Sequence, residues 1–169
     1  HYMNIANGCC GSTTHAAVET AAIRLTESQA AADFIGAIFH APLCNDLEVF
    51  YDQPTLAKLT AIIRNVAPDI LLTHSPTDYM EDHTNTCRLA VTAAFTHGMP
   101  NFKSTPATKP CGQNVTVYHG MPHSLRDPLR KRVTPGAFVN TTNVHQKKIE
   151  ALAAHESRQD GRDVSQGMK

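Results

Sequence analysis

Apolar residues fall into short extended runs and longer helical stretches that alternate along the chain. Tyr2 to Ala6 predicts a strand over 2–6, closed by the turn signal Asn7-Gly8 and followed by Cys9-Cys10-Gly11-Ser12. Ala, Glu, Arg, Leu and Gln favour a helix over 15–35, with Ser12, Thr13 or Thr14 as its cap and Gly36 as its stop. A second strand is expected over 37–43. Pro54 opens a helix with Leu56, Leu59, Ile62, Ile63 and Val66 on one broad face, and Pro68 ends it. Ile70-Leu71-Leu72-Thr73 lacks polar alternation, which predicts a strand buried on both faces, the habit of a parallel sheet.

A helix over 82–96 follows, carrying Leu89, Val91, Ala93, Ala94 and Phe95. The Pro- and Gly-bearing stretch 98–114 reads as a long excursion and a flexible specificity lid. Late strands are expected over 115–119 and 137–142, then a helix over 144–157 and a polar tail. Alternating strands and helices predict an α/β fold with right-handed crossovers: a Rossmann-like three-layer sandwich with a mostly parallel sheet, in one domain over 1–169.

Composition narrows the partners. The 169 residues balance 15 Lys+Arg against 15 Asp+Glu, so no basic footprint points to nucleic acid or an anionic membrane. A 41% hydrophobic content excludes a disordered tail, and no apolar run approaches the ~20 residues of a membrane span. Five cysteines without CxxC and without a signal peptide point to a reduced cytoplasm. The opening His1-Tyr2-Met3-Asn4-Ile5 reads as the middle of a strand, hence as a piece of a longer protein.

In open α/β sheets the chemistry collects beyond the carboxyl ends of strands. Three segments qualify: Asn7 to Gly11, Cys44-Asn45-Asp46, and His74 to His83. The last is richest, with two His, three carboxylates and a Tyr. Asp82-His83 at a helix start can present an imidazole to a metal, the carboxylate fixing its geometry; equally, Asp82 can cap the helix and His83 be an ordinary first-turn residue. Asp46 follows its strand directly, whereas Arg24 sits a turn further along its helix and could pair with Glu27. His123 lies in a polar loop suited to a cleft wall. Cys9 and Cys10 beside two glycines suggest a tight turn more than reactive thiols. The Asn7-Gly8-x-x-Gly11 loop could instead receive a phosphate, which would make the chain a non-catalytic sugar- or nucleotide-binding module. No G-x-S-x-G elbow supports a serine hydrolase.

Pro68-Asp69-Ile70-Leu71-Leu72-Thr73-His74-Ser75-Pro76 followed by Asp78-Tyr79-Met80-x-Asp82-His83 resembles the PIG-L/LmbE-like deacetylases. Arg24-x-x-Glu27, Asn45-Asp46 and Lys148-x-x-Ala151-Leu152-x-x-His155-x-Ser157 agree in order. The resemblance implies a zinc-dependent amide hydrolase (iron(II) being the other metal such ligands accept) acting on N-acetylglucosaminyl or related N-acyl small molecules. It assigns His83 to the metal, Arg24 and Asp46 to sugar hydroxyls, and Asp82 to the catalytic neighbourhood. The family's His-Pro-Asp-Asp-Glu strand, source of two further ligands and the general base, has no counterpart here, so the chain alone is expected to be inactive. Met80 stands where many members carry a His that steadies the oxyanion, leaving His74 and His123 as candidates for that task.

Overall fold

The computed structural model of the chain describes residues 1–158. It falls into two compact units, the first built from His1–Leu47 and the segment from Phe138, the second from Glu48–Ala137. The polar tail beyond residue 158 lies outside the described residues.

In the first unit β1 (Tyr2–Met3) and β2 (Phe39–His40) pair in parallel, Tyr2 opposite Phe39, and an isolated bridge joins Ala6 to Cys44 further along. Between them runs α1 (Ala17–Ile35), which buries Thr20, Ser28, Ala31 and Ala32. Small side chains on that face allow close backbone approach. The expected hydroxyl cap is corrected: the N-cap is Ala16 without a side-chain bond. Ser12 Oγ is already used, accepting from the amides of Thr14 and His15 at 3.2 and 3.1 Å to fold the preceding turn. Gly36 does stop the helix, at φ 74°, a conformation that favours glycine.

The strand expected over 137–142 is absent; the segment is irregular and leads into a 3-10 turn, Thr142–Val144. Asn140 Oδ1 accepts from Thr142 N at 3.0 Å and from its hydroxyl at 2.7 Å, a local side-chain turn that competes with extended pairing. Then α4 (His145–Ala153) packs on α1. Beyond it Glu27 grips Ser157, one carboxylate oxygen accepting from the amide and the other from the hydroxyl, both at 2.7 Å.

The second unit opens on α2 (Gln53–Val66), capped by Asp52, whose Oδ1 accepts from Thr55 N at 2.8 Å, with Pro54 in the first turn. Leu56, Leu59 and Ile63 are buried on the face that meets α3 (Glu81–Thr96), where Leu89 and Ala93 are wholly enclosed. The hydroxyls of Thr60 and Thr96 satisfy each other across that contact at 3.1 Å. β3 (Ile70–Thr73) and β4 (Thr116–His119) pair in parallel, Thr73 opposite His119. The expectation that β3 is buried on both faces is corrected: Ile70 is 58% and Leu72 76% exposed, alternating with half-buried Leu71 and Thr73. Among the described residues its strand neighbour is β4, and α3 packs on it.

Residues 98–114 form no regular element, yet they are far from loose. The buried Arg64 guanidinium donates to the carbonyls of Thr96, His97, Met99, Phe102 and Thr108 and to Ser104 Oγ. A planar five-donor fork is the side chain suited to such a carbonyl cage. The expected flexible lid is therefore corrected in its first half to an anchored loop.

Candidate metal centre

The site in the second unit begins where β3 ends. His74 follows Thr73 directly, and Ser75 Oγ accepts from Thr77 N at 3.2 Å, turning the chain. Asp78 is buried, and its Oδ1 accepts from Met80 N at 3.1 Å, so the carboxylate is held by the backbone just before α3. His83 lies in the first turn of α3, with Nδ1 3.0 Å from the same Asp78 oxygen. The carboxylate accepts that N–H, which leaves the lone pair on Nε2, the state in which an imidazole binds a metal.

The rings of His74 and His83 stack, with centroids 4.2 Å apart and planes 3° from parallel. Tyr79 stands edge-on to His83 at 5.9 Å and tilted to His123 at 5.8 Å. One ligand-type atom from each of His74, Asp78 and His83 lies within 4.8 Å of the others. Zinc or iron(II) held by all three would need His83 to release the Nδ1–H it gives Asp78; otherwise His83 offers Nε2 and Asp78 only orients the ring. Two imidazoles and a carboxylate are the donors such ions take, and the three fit. Burial first, and then the neighbouring His83, lower the His74 pKa below the ordinary 6.5, while Asp78 pulls it upward. His74 is nonetheless exposed at the surface of the loop.

Of the residues singled out from the sequence, His74, His83 and His123 thus lie along one line of rings joined by Tyr79. Asp82 is buried in the first turn of α3 but is not among the three groups that converge. Asp78 stands in the acidic segment and in the motif that carries the resemblance, with no role assigned to it there. Its signal was its place before a helix, where an Asp side chain readily takes the second following amide. His119 also escaped notice; its Nδ1 donates to the His74 carbonyl at 2.9 Å and so ties the end of β4 to the ligand-bearing loop.

Arg24 and Asp46 belong to the first unit, where both address the loop after β1. Arg24 Nη2 donates to Gly11 O at 2.8 Å, and Asp46 Oδ2 accepts from Cys10 N at 3.3 Å. A Cβ on Gly8 would lie 2.7 Å from Arg24 Cδ, and one on Gly11 would meet the guanidinium itself. Gly8 takes φ 70°, a conformation that favours glycine, while at Gly11 the guanidinium would have to move aside. A cavity of about 40 Å³, room for a water-sized guest, opens beside Arg24 between Ser12, His15, Thr20 and Ser157.

Parallel pairing, helical crossovers and a His/carboxylate cluster at a strand end define an α/β protein with a metal-type site. The sequence model of the PIG-L family, GlcNAc-PI de-N-acetylase, matches residues 1–95, and the chain belongs to this family. The matched region includes Arg24, Asp46, His74, Asp78, Asp82 and His83 but not His123.

Among curated relatives, 4-oxalmesaconate hydratase from Pseudomonas putida is 32% identical over 143 residues, 84% of this chain and 52% of its own length. Diacetylchitobiose deacetylase from Thermococcus kodakarensis is 27% identical over 165 residues, 93% of this chain and 58% of its own. The chain thus spans little more than half the length of these relatives. Among solved structures, N,N'-diacetylchitobiose deacetylase from Pyrococcus horikoshii with its inhibitor MPG superposes with TM-score 0.74 at 24% identity, over 93% of this chain and 58% of that one. The 4-carboxy-2-hydroxymuconate hydratase from Pseudomonas putida gives 0.73 at 23%, over 92% and 68%. These likenesses establish the mixed α/β fold. The curated relatives are a deacetylase and a hydratase. No helix among the described residues is long and apolar enough to cross a membrane.

Proposed function

We propose that the protein to which this chain belongs is a metal-dependent N-deacetylase of an N-acetylglucosaminyl or related N-acyl small molecule, working in the cytoplasm, and that residues 1–169 belong to one such domain. The observation that carries this reading is the convergence of His74, Asp78 and His83 at the end of β3 in a de-N-acetylase family. His83 is the metal ligand; His74 and Asp78 hold the ion with it or orient it. Zinc or iron(II) bound there supplies Lewis acidity and an acidified water.

The chain's own residues do the rest. Asp78 fixes the His83 tautomer through Nδ1. Asp82, next to His83, secures the helix start that aims it. His74 or His123 donates a hydrogen bond to the oxygen that gains charge as the amide carbonyl becomes tetrahedral, the task left open by Met80. Arg24 and Asp46 bind sugar hydroxyls, for which a guanidinium fork and a carboxylate are both apt.

A second reading rests on Met80 and on the 32% identity to a hydratase: the same cluster would add water across the double bond of an unsaturated dicarboxylic acid. One experiment separates them. The full-length protein is loaded with zinc and offered N-acetylglucosamine conjugates and, separately, an unsaturated dicarboxylate. Release of acetate that His83→Ala abolishes supports the deacetylase; hydration alone overturns it in favour of the hydratase. Neither activity, with zinc demonstrably bound, rejects both.

A further inference from the structure

We propose that Cys9 and Cys10 form a two-thiol receptor for a thiophilic metalloid or soft metal ion, a site that uses none of the metal-centre residues and does not depend on the proposed reaction. Neighbouring side chains in an extended chain point to opposite sides. Here a tight turn brings the two sulfurs to 3.9 Å from one another. The turn is held by Asn7 Oδ1 accepting from Cys9 N at 3.1 Å, by Cys10 N donating to Asp46 Oδ2 at 3.3 Å, and by Gly11 N donating to Gly8 O at 3.2 Å. Cys10 is exposed and Cys9 half-buried, so a ligand can reach both.

The separation selects the chemistry. A disulfide needs its sulfurs at about 2.05 Å and its Cα atoms usually at least ~4.4 Å apart, whereas adjacent Cα atoms are only ~3.8 Å apart. Direct oxidation would therefore have to break the turn. A single atom bonded to both sulfurs at about 2.3 Å spans roughly 3.8 Å at a tetrahedral angle and roughly 3.4 Å at the narrower, pyramidal angle of a trivalent centre. Both lie within about half an ångström of the observed spacing. Thiolates prefer soft acceptors.

With two sulfurs available, the acceptor it suits best is one that two thiols complete, a monosubstituted trivalent arsenical. Such an arsenic oxide forms two As–S bonds as its As–O bonding breaks. The two thiol protons leave on that oxygen as water, and arsenic stays trivalent.

The test uses the reduced full chain and phenylarsine oxide. Intact-mass titration under native conditions should give one tightly held equivalent, released by 2,3-dimercaptopropanol but not by an equal concentration of monothiol. Proteolytic mapping should place it on the peptide carrying Cys9 and Cys10. Cys9→Ser and Cys10→Ser should each weaken binding at least tenfold, and Cys44→Ser should leave it unchanged. The proposal is overturned by the absence of an adduct on the reduced chain. It is equally overturned by mapping to another peptide, by binding that survives either serine variant, or by loss in Cys44→Ser. Mapping on the native sequence keeps the test decisive even where a variant folds poorly.

Discussion

The Asp78 carboxylate lies 3.0 Å from Nδ1 of His83 while also accepting the Met80 amide, so one buried oxygen fixes both the start of α3 and the orientation of the imidazole it carries. Removing that oxygen should be felt at the metal. Asp78→Asn is expected to weaken zinc binding about 10–100-fold, the usual effect of losing such a partner, and His83→Ala to abolish it. Calorimetric zinc titration checks both; equal affinities for wild type and Asp78→Asn would show that the carboxylate neither binds nor orients.

Arg64 predicts a stability effect far from that site. Its truncation orphans buried carbonyls of the 96–108 segment and leaves no side chain able to reach them together. Arg64→Ala should lower unfolding free energy by about 2–4 kcal/mol in urea titrations, and Arg64→Lys should recover less than half, because a point charge cannot reproduce the fork. A loss below about 1 kcal/mol would mean that the loop holds itself.

Gly11 and Arg24 should behave as a coupled pair. Gly11→Ala drives a methyl into the guanidinium and should cost about 1–3 kcal/mol, as overpacking does. In an Arg24→Ala background the space is open and the same change should cost markedly less. Additive penalties in this double-mutant cycle would contradict the packing described.

The lowered pKa of His74 gives a pH signature in the metal-free protein. Its folded pKa lies below the unfolded 6.5, so the unfolded chain takes up the proton first as pH falls. The contribution to stability from this group is whole above pH 6.5 and declines as pH drops through that value toward the folded pKa. NMR titration of the imidazole in the presence of EDTA should show a midpoint below 6.5. A midpoint at or above that value would show that burial and the neighbouring His83 do not disfavour the charged ring.

Much of the architecture was legible from local pattern. Gly36 announced the end of α1, Pro54 the start of α2 and Pro68 its end, because caps and breakers act within a turn of themselves. His83, Arg24 and Asp46 were legible as candidates through resemblance. The strand expected over 137–142 failed because Asn140 found a closer partner in Thr142 than any neighbouring strand offered. Two-sided burial of β3 failed because an apolar run reports what could be covered, while coverage depends on which elements arrive.

The sequence by itself determined the order of strands and helices, the balanced charge and the family, since each is written in spacing and residue type. Tertiary structure decided the rest. It made Asp78 the partner of His83, set Arg24 into the space beside Gly8 and Gly11, and turned the first half of an apparent lid into the cage of Arg64. The reason is physical: a carboxylate, a guanidinium or a carbonyl declares what it can bond, but only the folded backbone brings its partner within 3 Å.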